Sequence, residues 1–322
     1  MRGLKESSRD LFFSRDSVSD PRLGDLIRSV SNFPVAGHVL LGYPDDEGIR
    51  NNGGRVGASA GPSQIRKFLY KMTPGTEGDF LSRESDPLIS DLGDLDVSAD
   101  SLEERHASAL SIVGDCLKRG LTVTTLGGGH DYGFPDGAAY CDWCLQNQKT
   151  PILINFDAHL DVRAPSPSIN SGTPFYRLLG KYPTAVLYEI GIQDQCNSRG
   201  HVEWVESRGG KILFQSDLLL GSSTPDIAIF SALENVLLSK TSVYLSLDMD
   251  VFSSVYAPGC SQSWPMGMNP RDMFRVLEVF FSRLHVPVFG VYEVSPPLDV
   301  ADGTSKLAAQ LVHKRFSHLH SA

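Results

Sequence analysis

The stretch "PILINFDAHLDVR", residues 151–163, runs from an apolar segment into a polar one with no turn signal between them. Ile152, Leu153 and Ile154 are apolar on consecutive positions, the pattern of a strand covered on both faces. Behind it stand Asp157, His159 and Asp161 at two-residue spacing. In an extended segment such positions share one side, so two acids and an imidazole would face one crevice at the end of a buried strand.

The same beat recurs along the chain. Candidate strands are "GHVLLG" (37–42), "PLISDL" (87–92), "LTVTTL" (121–126), "AVLYEI" (185–190), "KILF" (211–214), "SVYLSL" (242–247) and "VPVFGVYEV" (286–294), making eight with 151–156. Helical stretches lie between them. "SLEERHASALSIVGDCLKRG" opens on a Ser101…Glu104 capping box and stops at Gly120. "GPSQIRKFLYKM", "HVEWVESRGG", "PDIAIFSALENVLLSK", "NPRDMFRVLEVFFSRL" and "TSKLAAQLVHKRF" read the same way. Strand–helix alternation predicts an α/β fold, a mostly parallel eight-stranded sheet between two helical layers. No linker or repeat divides it, so the expectation is one domain over 38–322 with 1–37 as an extension packed on or flanking it.

Ligands of open α/β sheets sit beyond the carboxyl ends of the strands. Four polar clusters fall there: "GGGHD" (127–131), "DAHLD" (157–161), "DMD" (248–250) and "EVSPP" (293–297). A lone D-x-H-x-D could be a hydrogen-bonded turn and nothing more. Joined with the other clusters, it brings His130, Asp157, His159, Asp161, Asp248 and Asp250 to one crevice. Four crowded carboxylates repel one another unless cations sit among them, and two divalent ions would offset the four charges. Oxygen and imidazole donors without thiolate favour a hard or borderline ion. Manganese fits best, with zinc, cobalt and iron open.

Bulk composition narrows the partners. The 322 residues are 41% hydrophobic and 21% charged, ample for a core, and the net charge of −9 leaves no basic excess for nucleic acid or an anionic membrane. No apolar run reaches the ~20 residues that span a bilayer. The first residues lack a signal-peptide core, and Glu6, Asp10, Asp16 and Asp20 do not suit a presequence. An odd count of five cysteines fits a reducing compartment, so the cytoplasm is expected. Cys141 and Cys144 form a C-x-x-C with no partner pair at zinc spacing, which reads as two thiols on a helix.

"GGGHDYGFPDG", "NFDAHLDVR" and "SLDMDVF" resemble the three metal motifs of the ureohydrolases, the family of arginases, agmatinases and formimidoylglutamases. "GYPDDEGIRNNGGRVGASAGPSQIR" (42–66) and "YEVSPPLD" (292–299) resemble two further segments of that family, so the likeness runs from about 38 to 311. It implies the arginase-like three-layer fold and two Mn2+ per chain. One ion would be held by His130, Asp157, Asp161 and Asp248, the other by Asp157, His159, Asp248 and Asp250, with Asp157 and Asp248 bridging. A hydroxide between the ions would attack the amidine carbon, Asp161 would carry the proton, and Glu293 would orient the amidinium.

The loop after the central motif bears on the substrate. Arginases carry Asn where Arg163 stands, then an S-G-N-x-H-G segment with an assisting His. Here the segment reads "SINSGTPFYRLL", with Phe175 at the His position. Phe cannot shuttle protons. D-x-R followed by S-G-T-P-F resembles formimidoylglutamases instead. Their substrate, N-formimidoyl-L-glutamate, carries two carboxylates, and arginine binds carboxylates bidentately. Arg163, Asn170 and Ser171 are therefore the expected substrate contacts, Asn170 standing with Arg55 and Arg177 as a weaker candidate for the second carboxylate. The leading expectation is hydrolysis to L-glutamate and formamide, a step of histidine degradation. A guanidino-acid hydrolase or agmatinase releasing urea is the alternative enzyme, and a catalytically silent binding or scaffold subunit is the alternative of another class. The resemblance also implies a homo-oligomer, trimer or hexamer.

Overall fold

All eight apolar runs enter one sheet. The computed structural model describes residues 3–34, 37–75, 89–98, 101–239 and 241–319. Its strands are β1 (Leu4–Lys5), β2 (Arg28–Ser29), β3 (His38–Gly42), β4 (Ile89–Leu95), β5 (Thr122–Leu126), β6 (Ile152–Phe156), β7 (Val186–Ile192), β8 (Lys211–Phe214), β9 (Ser242–Asp248) and β10 (His285–Tyr292). Positions 87–88 of the second expected strand lie outside the described residues. The order is β1-β4-β3-β5-β10-β9-β6-β7-β8, with β2 also on β4.

The expected strand count of eight is corrected to ten. The two additions are two-residue strands from the N-terminal segment, too short to show a periodic pattern. β1 pairs antiparallel with β4 and every other pairing is parallel. The same segment buries Leu23 and Ile27, and the Leu23 amide donates to the Met72 carbonyl.

Alternate side chains of each central strand feed two cores, one per face. Leu153 joins one, and Ile154 and Phe156 the other; Tyr244 joins the first, and Val243, Leu245 and Leu247 the second. Continuous apolar runs follow from this, because neither face meets water. Helices Leu102–Lys118, Gly133–Gln146 and Pro174–Lys181 cover the first face; Gly61–Leu69, Pro270–Arg283 and Gly303–Phe316 cover the second. The Ser101 cap is formed as expected, its Oγ accepting the Glu104 amide at 3.3 Å while Glu104 accepts the Ser101 amide at 2.8 Å. Gly120 follows that helix at φ +74°, the left-handed stop. One expected helix is two: Pro225–Ala232 and Glu234–Ser239 part at Leu233, a fully buried residue. No Gly or Pro stands at that break. No helix among the described residues is long and apolar enough to cross a membrane.

Candidate metal centre and substrate cavity

Strands β5, β10, β9 and β6 are four consecutive neighbours, and they carry the four polar clusters. Their carboxyl ends are level: Val291 pairs with Leu126, Tyr292 with Asp248, and Phe156 with Leu247. Thus His130, Glu293, Asp248 and Asp157 leave the sheet side by side.

The glycines before His130 are there for space. A Cβ on Gly127 would enter the Tyr292 ring, one on Gly128 the Asp45 carbonyl, and one on Gly129 the Asp131 carboxylate. A backbone carbonyl cannot swing aside. Gly128→Ala should therefore lower stability by about 3 kcal/mol, the upper end for overpacking. An unchanged urea midpoint would show that the turn has slack that the packing denies. Asp131 and Tyr132 anchor the same turn: His106 Nε2 lies 2.8 Å from Asp131, and the Tyr132 hydroxyl donates to Asp45 at 2.7 Å.

The His130 ring is nearly inaccessible, with Nε2 2.8 Å from the Ser246 hydroxyl. Assigning that nitrogen the proton leaves Nδ1 as a lone pair with no hydrogen-bond partner. Around Nδ1 stand Asp157 and Asp161 at 3.0 Å and Asp248 at 3.2 Å. A lone pair ringed by three carboxylates, two from the loop after β6 and one from the end of β9, repels unless a cation sits among them. The second group is His159 Nδ1, 3.0 Å from Asp250 Oδ2 and 3.5 Å from Asp157 Oδ1. Asp157 thus turns one oxygen to each group. Its Oδ1 is also fixed by the His159 amide at 2.7 Å, and Asp248 Oδ1 by the Asp250 amide at 2.8 Å. Asn155 holds the Asp157 carboxylate, donating to it at 3.3 Å and to buried Glu189 at 2.9 Å.

Electrostatics give the same picture. Burial, then the charges of Asp250 and Asp157, hold the Asp248 carboxyl well above the usual carboxylate range. Burial and the Asp157 charge push Asp161 up to about 6. Asp250 is raised by burial as well. These are carboxylates short of positive charge, and two divalent cations at the two groups would supply it. The donors are oxygen and imidazole, which fits a hard or borderline ion.

A cavity of about 280 Å³ opens from these residues. Its buried end is formed by His130, Asp161, Asp248, Asp250 and Glu293, with His159 beside them. Glu293 sits at φ +66° directly after β10; its Oε1 accepts the His130 amide at 3.0 Å, and burial raises its pKa well above the ordinary value. Arg163 and Ser171 also line this cavity. Asn52 ties them together, accepting from Arg163 at 3.0 Å and donating to the Ser171 hydroxyl at 3.0 Å.

Asn170 does not reach the cavity. Its Oδ1 accepts the Gly172 amide and its Nδ2 donates to the Ser168 carbonyl, so its side chain shapes the loop. The weaker arginine candidates are occupied elsewhere too. Arg55 donates to the carbonyls of Cys260 and Ser261, and Arg177 lies over the Phe134 ring with its centroid at 3.5 Å. Phe175 is fully buried, edge-on to His130 with ring centroids 5.8 Å apart. Cys141 and Cys144 are buried on helix Gly133–Gln146, and burial pushes both thiols up. Cys260 is buried beneath a loop whose Ser261 and Gln262 line the cavity. Asn52, Cys196, Asn197, His201 and Trp264 also line it, none of them evident from spacing.

The chain is similar to a formimidoylglutamase of Lysinibacillus sphaericus, 29% identical over 295 residues that cover 91% of this chain and 88% of that one. A formimidoylglutamase of Nocardia farcinica is 32% identical over 280 residues, covering 86% and 84%. Among solved structures, a Trypanosoma cruzi formiminoglutamase with Mn2+ superposes at TM-score 0.78 and 28% identity, covering 93% of this chain and 98% of that chain. The model of the arginase family matches residues 36–317, a span that takes in all four strand ends and both ligand groups. The chain belongs to the arginase family.

Proposed function

We propose that this protein hydrolyses N-formimidoyl-L-glutamate to L-glutamate and formamide, with two manganese ions held by the two ligand groups. The relatives named formimidoylglutamase support the substrate, and the Mn2+ of the Trypanosoma cruzi enzyme supports the metal. The observation that carries the reading is Arg163, an arginine at the cavity wall where a carboxylate-bearing substrate would need a cation.

Bound divalent ions supply Lewis acidity and make water a stronger nucleophile near neutral pH. The protein's own part is positional and protonic. His130, Asp157, Asp161 and Asp248 form one ligand set, and Asp157, His159, Asp248 and Asp250 the other. Asp161 takes a proton from the attacking water and returns it to the leaving nitrogen. Glu293, with one oxygen pinned by the His130 amide, accepts from the amidinium and fixes its direction. Arg163 pairs with a carboxylate, and Ser171 lies beside it.

Arg163→Ala should lower kcat/KM for formimidoylglutamate about tenfold to hundredfold, the loss of a charge-assisted contact of roughly 1.5–3 kcal/mol. The loss should fall on KM, because the carboxylate is charged in ground and transition states alike. Arg163→Lys should recover part of it, since ammonium lacks the planar fork. Kinetics unchanged in Arg163→Ala would move the guanidino-acid alternative ahead.

The same reading makes the protein a cytoplasmic homo-oligomer, trimer or hexamer, with 38–322 as one catalytic domain and 1–37 an extension packed on or flanking it. Exposed Leu219, Val255, Tyr256 and Met266 gather at one groove, apolar surface that a second copy would cover. Light scattering checks this, and a monomer at micromolar concentration would contradict it.

A further inference from the structure

Resting on that reading, the charges in the cavity leave one requirement unmet. Two divalent ions offset the four aspartates, and Glu293 is matched by the substrate amidinium. The substrate then brings two carboxylates, and Arg163 answers one. Of the basic side chains on the cavity wall, His130 and His159 belong to the ligand groups, which leaves Arg163 and His201. Arg55 and Arg177 are held by backbone carbonyls and by the Phe134 ring.

His201 is held at a fixed place relative to the metal ligands. It lies in the first turn of helix Arg199–Glu206, with its amide donating to the Ser198 hydroxyl at 3.3 Å. Just before, Asn197 clasps the ligand loop. It accepts the Leu160 amide at 2.8 Å and donates to the carbonyls of Ala158 and Gln193 at 2.9 Å. The His201 imidazole itself has no hydrogen-bond partner among the described residues. Its pKa is lowered by partial burial and then by the Arg163 charge, so the imidazole stands close enough to feel that guanidinium and favours its neutral form in the free site.

We propose that His201 is the second carboxylate-binding group of the substrate site, its imidazole N–H donating to the distal side-chain carboxylate of the glutamate moiety while Arg163 binds the carboxylate nearer the amidine. Arg163 follows the ligand Asp161 by two residues, which places it toward the reacting end. His201 comes from a separate loop and helix, and so takes the far end. A carboxylate bound beside the imidazole also offsets the Arg163 charge and draws a proton onto the ring, which strengthens the contact. The site therefore selects amidines of acidic amino acids with a second carboxylate.

The test uses manganese-loaded protein and two substrates, N-formimidoyl-L-glutamate and N-formimidoyl-L-glutamine, whose distal group is a neutral amide. Formamide release by the wild type tests the parent reading; the variants test this one. His201→Gln should raise KM for the glutamate substrate roughly tenfold, one charge-assisted contact, and leave kcat nearly unchanged. The glutamine substrate should not sense the substitution. His201→Arg should restore a low KM for the glutamate substrate alone. Equal KM losses on both substrates, or an unchanged KM in His201→Gln while the wild type releases formamide, would overturn the role of His201 and leave the parent function standing. No formamide from the wild type would remove both.

Discussion

Asp157→Asn is expected to release both metal ions and to lower kcat/KM on the order of a thousandfold or more, at least about 4 kcal/mol of transition-state stabilisation. Asp157 turns one oxygen to each ligand group, so this single change touches both. Asparagine preserves the turn, since its Oδ1 can still accept the His159 amide. Its Nδ2, however, would stand where Oδ2 now lies 3.0 Å from the free His130 nitrogen. There it would donate to the lone pair that a metal needs. The loss is then of charge, of a bridge and of a ligand at once. Elemental analysis should find far fewer than two ions per chain. The metal-free wild type should melt lower than the loaded protein, because ions that bind only the folded state stabilise it. Full metal content and activity in Asp157→Asn would remove this residue from the bridge.

Asp161→Asn tests the proton transfer. Here kcat should fall on the order of a hundredfold to ten-thousandfold, the usual worth of a positioned acid–base group, with KM changed little. The substitution is conformationally mild. Asp161 sits at φ +47°, where asparagine is among the most tolerated residues, and its carbonyl still accepts the Phe175 amide. An oxygen remains to face His130. What is lost is the ability to take a proton. In the wild type, turnover should fall as pH drops through the pKa of this acceptor, and that limb should vanish in the variant. Metal content measured alongside separates a lost base from a lost ligand. Unchanged turnover with both ions bound would exclude Asp161 as the acceptor.

The fold was legible because its strands are buried on both faces. Apolar residues at consecutive positions, as in Ile152–Ile154 or Val243–Leu245, admit few other readings once helices alternate with them. The candidate ligands were legible for a related reason: an acid or imidazole directly after such a run must leave the core at a strand end. The strand order was not legible. β9 and β10 insert between β5 and β6, and pairings as distant in sequence as Leu153 with Tyr244 or Val123 with Val288 leave no local trace. β1 and β2 escaped because two residues carry no period.

Side-chain commitment was the other gap. Asn170 and Ser171 are neighbours with similar chemistry, yet only Ser171 faces the cavity, because Asn170 is consumed by its own turn. Arg177 follows the loop that selects the substrate, but an aromatic ring holds it. His201 stands 38 positions beyond Arg163 with no spacing to connect them, and only the fold makes them neighbours on one wall.

The central claim is chemical, and product analysis tests it most directly. Manganese-loaded protein should be given N-formimidoyl-L-glutamate and, separately, guanidino acids, agmatine and arginine. The account predicts formamide and L-glutamate in equal amounts from the first and negligible urea from the others. Urea released efficiently from a guanidino compound, with no formamide from formimidoylglutamate, would contradict it.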